Sequence, residues 1–330
     1  MTDVLDLLRQ ADPVDEGQLR AEPPPEHRLQ AILASGPTAR GRRSRSLMRV
    51  LVPAGGGAAG VAITLALVAG GDRVDAAAAA AFHRIADVAR AQPPTLAPGD
   101  HRFLYVRLEG EGFLAMASEP PYHRGIRTAD DFGFLLDFNS TQEVWIGENR
   151  GRVRNRMSAP TFATARDRQV WETAGRPKLP PASDDEFPLE GGIERLQIPT
   201  DPDELLAYLE RRAADSDEGN TWIFTTLITD YLREWGVTPA QRAALFDAAA
   251  RLPGIELLGT RRDPAGRSGV GFALVDEQEH TRYTLIIDRH TSELLAERRE
   301  TMPGGPIPAG ATGYTTFESP VLVDAIGERG

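Results

Sequence analysis

Apolar and polar positions alternate most regularly over the last third of the chain. Ile255 to Arg261, Val270 to Val275, Arg282 to Ile287 and Leu294 to Thr301 each read as a strand. The turns between them fall at Asp263-Pro264-Ala265-Gly266, Asp276-Glu277-Gln278-Glu279 and Asp288-Arg289-His290-Thr291. A last strand, either Tyr314 to Phe317 or Val321 to Ala325, closes the meander. Before it the period becomes helical. Asp201-Pro202-Asp203-Glu204 sets a cap and a first-turn proline ahead of Leu205 to Ala214. Asn220 to Trp235 reads as helix despite its β-branched residues. Thr238-Pro239-Ala240-Gln241 opens another helix, which runs to Leu252 and stops at Pro253-Gly254.

The preceding part is rich in strands. His101 to Leu108 and Phe113 to Ser118 read as a pair joined across Gly110-Glu111-Gly112. Phe132 to Phe138, Glu143 to Gly147 and Arg150 to Met157 follow, with turns at Asn139-Ser140 and Glu148-Asn149. Ala163 to Ala174 is helical, and Lys178 to Gly192 reads as a loop rich in proline and aspartate. A helix from Ala76 to Ala91 leads into all of this. Strands group with strands and no βαβ crossover occurs. The pattern predicts an α+β domain over residues 72–330, a curved antiparallel sheet with helices packed on one side.

Ahead of that domain lies a run of another kind. Val50 to Gly71 has no charged residue and follows Arg40, Arg42, Arg43, Arg45 and Arg49. About 20 helical residues cross a hydrocarbon core of roughly 30 Å, so the run predicts one transmembrane helix over 50–71. The arginines put residues 1–49 in the cytoplasm and residues 72–330 outside it. Gly55, Gly57 and Gly60 imitate a dinucleotide-binding turn, but an alanine run stands where the second strand and its ribose-binding acid belong. A cleaved signal peptide is the alternative, with Arg42-Arg43 and Ala76-Ala77-Ala78 as its marks. Against it, the preceding region is long and carries two short amphipathic helices. Leu5 and Leu8 lie on one, Leu29 and Ile32 on the other. Helices this short bury no core of their own, which leaves loose order or folding against a partner through those four residues.

Charge follows the same division. Residues 1–49 hold eight arginines against seven acids, whereas the rest holds 29 basic against 41 acidic side chains. An acidic outer domain argues against nucleic-acid binding. The chain has no cysteine, which excludes disulfides and cysteine-based zinc or redox sites. The six histidines show no close ligand spacing; His280 and His290 fall in predicted turns with Glu277, Glu279 and Asp288. Ser268 lacks the final glycine of a nucleophile elbow. Asp184, Asp185 and Glu186 read as a solvated run. Arg150, Arg152, Arg154 and Arg156 read as the charged face of a sheet edge. Trp145, Trp171, Trp222 and Trp235 read as core. No catalytic, cofactor-binding or metal-binding set emerges, and the chain reads as a non-enzyme.

The opening Leu-Asp-Leu-Leu-Arg-Gln-Ala-Asp-Pro-Val-Asp, the arginine cluster and the alanine/glycine-rich span are joined by Pro199 to Leu206, Leu252-Pro253-Gly254-Ile255, and Leu285 to Asp288 with Leu294 to Glu297. Together they resemble a family of actinobacterial single-pass membrane proteins encoded near extracytoplasmic-function sigma factors. The outer domain is similar to the half-barrel of lipoprotein carriers and envelope-stress sensors. The resemblance implies a membrane sensor or regulator of anti-sigma type, with a cytoplasmic partner such as a sigma factor and the lipid bilayer as its setting. A cysteine-free chain departs from the His/Cys zinc motif common in anti-sigma factors. The alternative is a tethered carrier whose helices cover an apolar groove that holds lipid or lipoprotein.

Overall fold

The computed structural model describes residues 73–93, 102–120, 125–190, 197–213, 220–233 and 237–329. The predicted span over 50–71 and the tail residues Leu5, Leu8, Leu29 and Ile32 lie outside the described residues. Among the described residues no helix is long and apolar enough to cross a membrane.

The domain opens with α1, Ala76–Ala91. Asp75 caps it by accepting from the amides of Ala77 and Ala78, and its buried stripe of Ala78, Ala81, Phe82, Ile85, Ala86 and Ala89 has helical spacing. Strands β1 (Phe103–Ala117), β2 (Phe132–Ile146), β3 (Arg150–Met157) and β4 (Thr161–Phe162) follow, then helix α2 (Ala165–Thr173) and strand β5 (Ser183–Glu190). The helical block holds α3 (Pro202–Ala213), α4 (Asn220–Trp222), a π-helical stretch (Ile223–Ile228), α5 (Thr229–Arg233) and α6 (Pro239–Ala249). The meander is β6 (Glu256–Arg262), β7 (Ser268–Asp276), β8 (Thr281–Ile287) and β9 (Leu294–Thr301), followed by β10 (Thr312–Phe317) and β11 (Val321–Val323). The strands form one sheet in the order β5-β3-β2-β1-β10-β9-β8-β7-β6, with β11 also on β1 and β4 on β2. Every pairing is antiparallel. Both candidate closing strands therefore form, each on a different length of β1.

Four elements differ from the sequence expectation. The pair proposed across Gly110-Glu111-Gly112 is a single strand, β1, and the proposed turn at Asn139-Ser140 lies inside β2; the two run in register from Leu104↔Ile146 to Met116↔Phe134. These glycines serve close approach rather than a turn. A Cβ on Gly112 would stand 2.6 Å from the Phe138 ring, and one on Gly110 would stand 2.8 Å from the Tyr314 carbonyl oxygen. The Pro- and Asp-rich stretch is also not all loop, because residues 183–190 pair with β3 from Met157↔Ser183 to Arg150↔Glu190. Pro188 is tolerated there because β5 ends the sheet path, and carboxylates along the strand disfavour edge-to-edge pairing with another copy. In the segment read as one helix from Asn220 to Trp235, the register loosens to π at Ile223–Ile228. The buried Thr229 hydroxyl donates to the carbonyl five residues back, that of Phe224, at 2.9 Å. Trp235 lies outside the described residues.

Sheet curvature is visible in one side chain. Arg267, at the head of β7, pairs with the buried Asp263 and donates to the carbonyls of Phe317 on β10 (2.8 Å) and Leu295 on β9 (2.9 Å). In a flat sheet β7 and β10 would stand about 14 Å apart, beyond an arginine's reach, so the sheet curls. Helices cover one face. Leu104, Val106 and Leu108 of β1, Phe272 and Leu274 of β7, and Leu285 and Ile287 of β8 join α1, α3, α6 and the π stretch in one buried cluster. A second cover, α2, packs its Val170 and Trp171 with Met116, Phe134 and Leu136. The expected α+β class, with a curved antiparallel sheet and helices to one side, is what the described residues form.

Candidate interaction surface

The alternating positions of β1 and β2 that face away from the main helices carry the densest polar network of the domain. Glu143 on β2 is fully buried, and three side chains saturate its carboxylate. The Tyr105 hydroxyl donates to Oε1 at 2.9 Å, Arg156 of β3 donates to Oε2 at 2.9 Å, and Arg329 donates to both oxygens at 2.6 and 3.1 Å. Burial works to raise the pKa of Glu143, but the bonds from Arg329 and Tyr105 and the charge of Arg156 outweigh it and hold the group ionised below the usual range. Burial, together with donation to this carboxylate, pushes the Tyr105 phenol up to about 12.

Arg329 belongs to a strap over residues 321–329 that crosses this face. Val321 and Val323 of β11, with Ile326, pack on Phe103, Tyr105 and Trp145. The Trp145 indole donates to the Glu328 carbonyl at 2.7 Å, and the Glu328 carboxylate in turn accepts from the amides of Asp324 and Ala325. The strap is thus held by strand pairing at one end and by a buried charge at the other.

Beside the strap lies the arginine face of β3. Arg152 pairs with Glu186 at 2.7 Å, and Arg154 makes a bidentate pair with Asp184, with both bonds at 2.7 Å. The bond from Arg154 holds the Asp184 carboxyl below its ordinary range. The acids read as a solvated run therefore form the strand that pairs the arginines. Arg150 lies 5.6 Å over the Phe103 ring. A groove of about 680 Å³ opens here, lined among others by Arg150, Arg152, Phe187, Leu189 and Ile326. Two of its ionic groups, Arg152 and Glu186, are matched with one another.

The remaining sequence candidates fall in structural roles. His83 Nδ1 lies 2.7 Å from Asp247 Oδ1, and Arg90 bonds the other oxygen, so this acid of α6 ties α1 in place. His290 and Thr291 donate their amides to Asp288, an ordinary turn, and Asp276 does the same for Gln278 and Glu279. Ser268 opens β7. Trp145 is buried, while Trp171 packs at a tilt against Phe162 and donates to the Pro177 carbonyl. Among the described residues no group of three or more His, Cys, Asp or Glu is placed to hold a metal. The layer between helices and sheet, where the carrier alternative would place a lipid groove, holds the protein's own rings. Phe82 lies between Phe272 at 3.8 Å and Phe246 at 6.4 Å, and all three are fully buried.

One group missed in the sequence is Asp230 on α5. It shares the Arg233 guanidinium with Glu297 of β9, and Arg233 lies over the Phe317 ring. Burial is the main cause that raises the Asp230 carboxyl to about 6, with Glu297 adding to the rise against the pull of Arg233. Since the folded pKa exceeds the unfolded one, the folded state binds the proton more tightly. Stability is therefore expected to rise as pH falls from 7.5 through 6 to about 5. Asp230→Asn should flatten that gradient in thermal melts. No sequence motif marks this group, since its perturbation comes from burial and from Glu297, which is distant in sequence.

No family model matches the chain, and no curated relative does. Among solved structures, the crystal structure of MucB in complex with MucA(peri) is similar at 12% identity, with a TM-score of 0.27. The alignment covers 76% of this chain and 57% of that one, so this chain spans little more than half the length of that protein.

Proposed function

We propose that the protein is a single-pass membrane sensor or regulator of anti-sigma type, with the α+β domain outside the cytoplasm and residues 1–49 as its inner, partner-binding tail. The observation that carries this reading is the charge-free run Val50 to Gly71 between an arginine cluster and the capped first helix of a packed domain. The domain supports it by what its polar groups do. Glu143, Asp184, Asp247 and Asp263 are each spent on holding elements together. Lipid carriage has less support, because Phe82, Phe246 and Phe272 fill the layer between the helices and the sheet.

The tail engages its partner through Leu5, Leu8, Leu29 and Ile32. Affinity capture of the full chain from detergent extracts is expected to retain a cytoplasmic regulatory protein such as a sigma factor. The combined substitution of those four residues by aspartate should release it. Equal retention by both chains would count against the tail as the binding element.

A further inference from the structure

The predicted span ends at Gly71, and the chain is already fixed to the domain at Arg73, whose carbonyl accepts from the Gly254 amide at 3.3 Å. Asp75 then caps α1. Two or three extended residues reach only about 10 Å, so a span ending at Gly71 would leave no room for a stalk before the packed domain. Val74, 45% exposed, is the exposed large hydrophobic among the described residues, and it stands at this junction. Arg251 lies in the turn leading to Gly254 and reaches Asp203 at the start of α3, so the same end gathers the start of α1, the end of α6 and the start of α3. The other end of α1 is fixed as firmly. Gln92, just past its last residue, donates to the His290 carbonyl at 3.0 Å, which places the β8–β9 turn at the opposite end. A helix of 16 residues separates the two ends by about 24 Å.

We infer that the end formed by Arg73, Val74 and the turn from Arg251 to Gly254 rests on the surface of the phospholipid bilayer, with the β8–β9 turn farther out by up to about 24 Å. This rests on the membrane-spanning reading above. Val74 enters the headgroup layer, where an apolar side chain gains from leaving water. The guanidinium group of Arg73 meets lipid phosphates. Of the acids at this end, Asp203 is paired with Arg251, Asp75 and Asp201 accept helix-cap amides, and the exposed Glu204 opposes the approach. A domain fixed in this way cannot swing freely on a tether. A partner in the envelope meets the outward end and the sides of the sheet.

The cysteine-free chain permits a direct test. The full chain carrying Arg251→Cys or Arg289→Cys, both exposed positions, is labelled with a fluorophore. Each is reconstituted into nanodiscs of phosphatidylcholine and phosphatidylglycerol that contain a headgroup nitroxide lipid. Quenching is expected to be several-fold stronger at 251 than at 289. Equal quenching, or stronger quenching at 289, in inserted chains overturns the orientation and leaves the span intact. A chain that fails to enter nanodiscs overturns the spanning reading and the orientation with it.

Discussion

Phe272→Ala is expected to cost about 3–5 kcal/mol, the range for deleting a fully buried phenyl ring. Phe272 is completely enclosed on β7, and its ring lies 3.8 Å from that of Phe82 on α1. The substitution therefore removes both the transfer energy of the ring and the contact that seats the first helix on the sheet. The rings of Phe82 and Phe246 also meet across α1 and α6, so neither can move into the space without breaking that contact. Urea denaturation of the wild type and the variant should show a fall in midpoint with little change in slope. A loss below about 1 kcal/mol would mean that the layer collapses readily or is not packed this way. The same packing predicts that native mass spectrometry of the purified protein finds no co-purifying acyl lipid.

Glu143→Ala comes second, at about 2–4 kcal/mol. A buried carboxylate that loses its place leaves Tyr105 without an acceptor and two guanidinium groups without a counter-charge. The cost falls short of the full range for broken buried pairs because Arg156 and Arg329 are about one-third and one-half exposed and regain water. Arg329→Ala leaves the buried carboxylate bonded to Tyr105 and Arg156, so a smaller loss than in Glu143→Ala is expected. The distinguishing readout is local. In Glu143→Ala, amide exchange over residues 321–329 should accelerate well beyond the change in global stability, because the strap loses its terminal bond. The pH dependence separates this group from Asp230. The folded pKa of Glu143 lies below its unfolded value of 4.5, so its contribution is present above that pH and is lost as pH falls below it. The two contributions therefore run in opposite directions, that of Asp230 growing as pH falls through about 6 and that of Glu143 being lost as pH falls below 4.5.

The parts of the fold legible in the sequence are those where local chemistry and tertiary packing agree. The meander from Ile255 to Thr301 shows strict alternation and turns built on Asp, Gly and Pro, and its four strands form as read to within two residues. Thr238 and Gln241 form a reciprocal capping box where the helix start was placed. The readings that failed are those where a turn-type residue serves another purpose. Gly110 and Gly112 resemble a hairpin loop, but they thin β1 so that the Phe138 ring and the neighbouring strand can approach. The run Asp184-Asp185-Glu186 resembles a loop because its β-propensity is poor. It becomes strand because arginines on β3 stand opposite in register, with Arg156 across from Asp184 and Arg154 across from Glu186. A one-dimensional reading has no access to that cross-strand match. The Glu143 network was equally out of sight, since Tyr105, Glu143, Arg156 and Arg329 are spread over more than 200 positions and meet only when the strap crosses the sheet.

The most direct measurement for the account as a whole is protease accessibility of the full chain in intact cells, with one tag at each end. Protease added outside is expected to remove the C-terminal tag while the N-terminal tag survives on a fragment of some 70 residues that stays with the membrane. Protection of both tags until the cells are lysed, or release of the whole chain in soluble form, would contradict it.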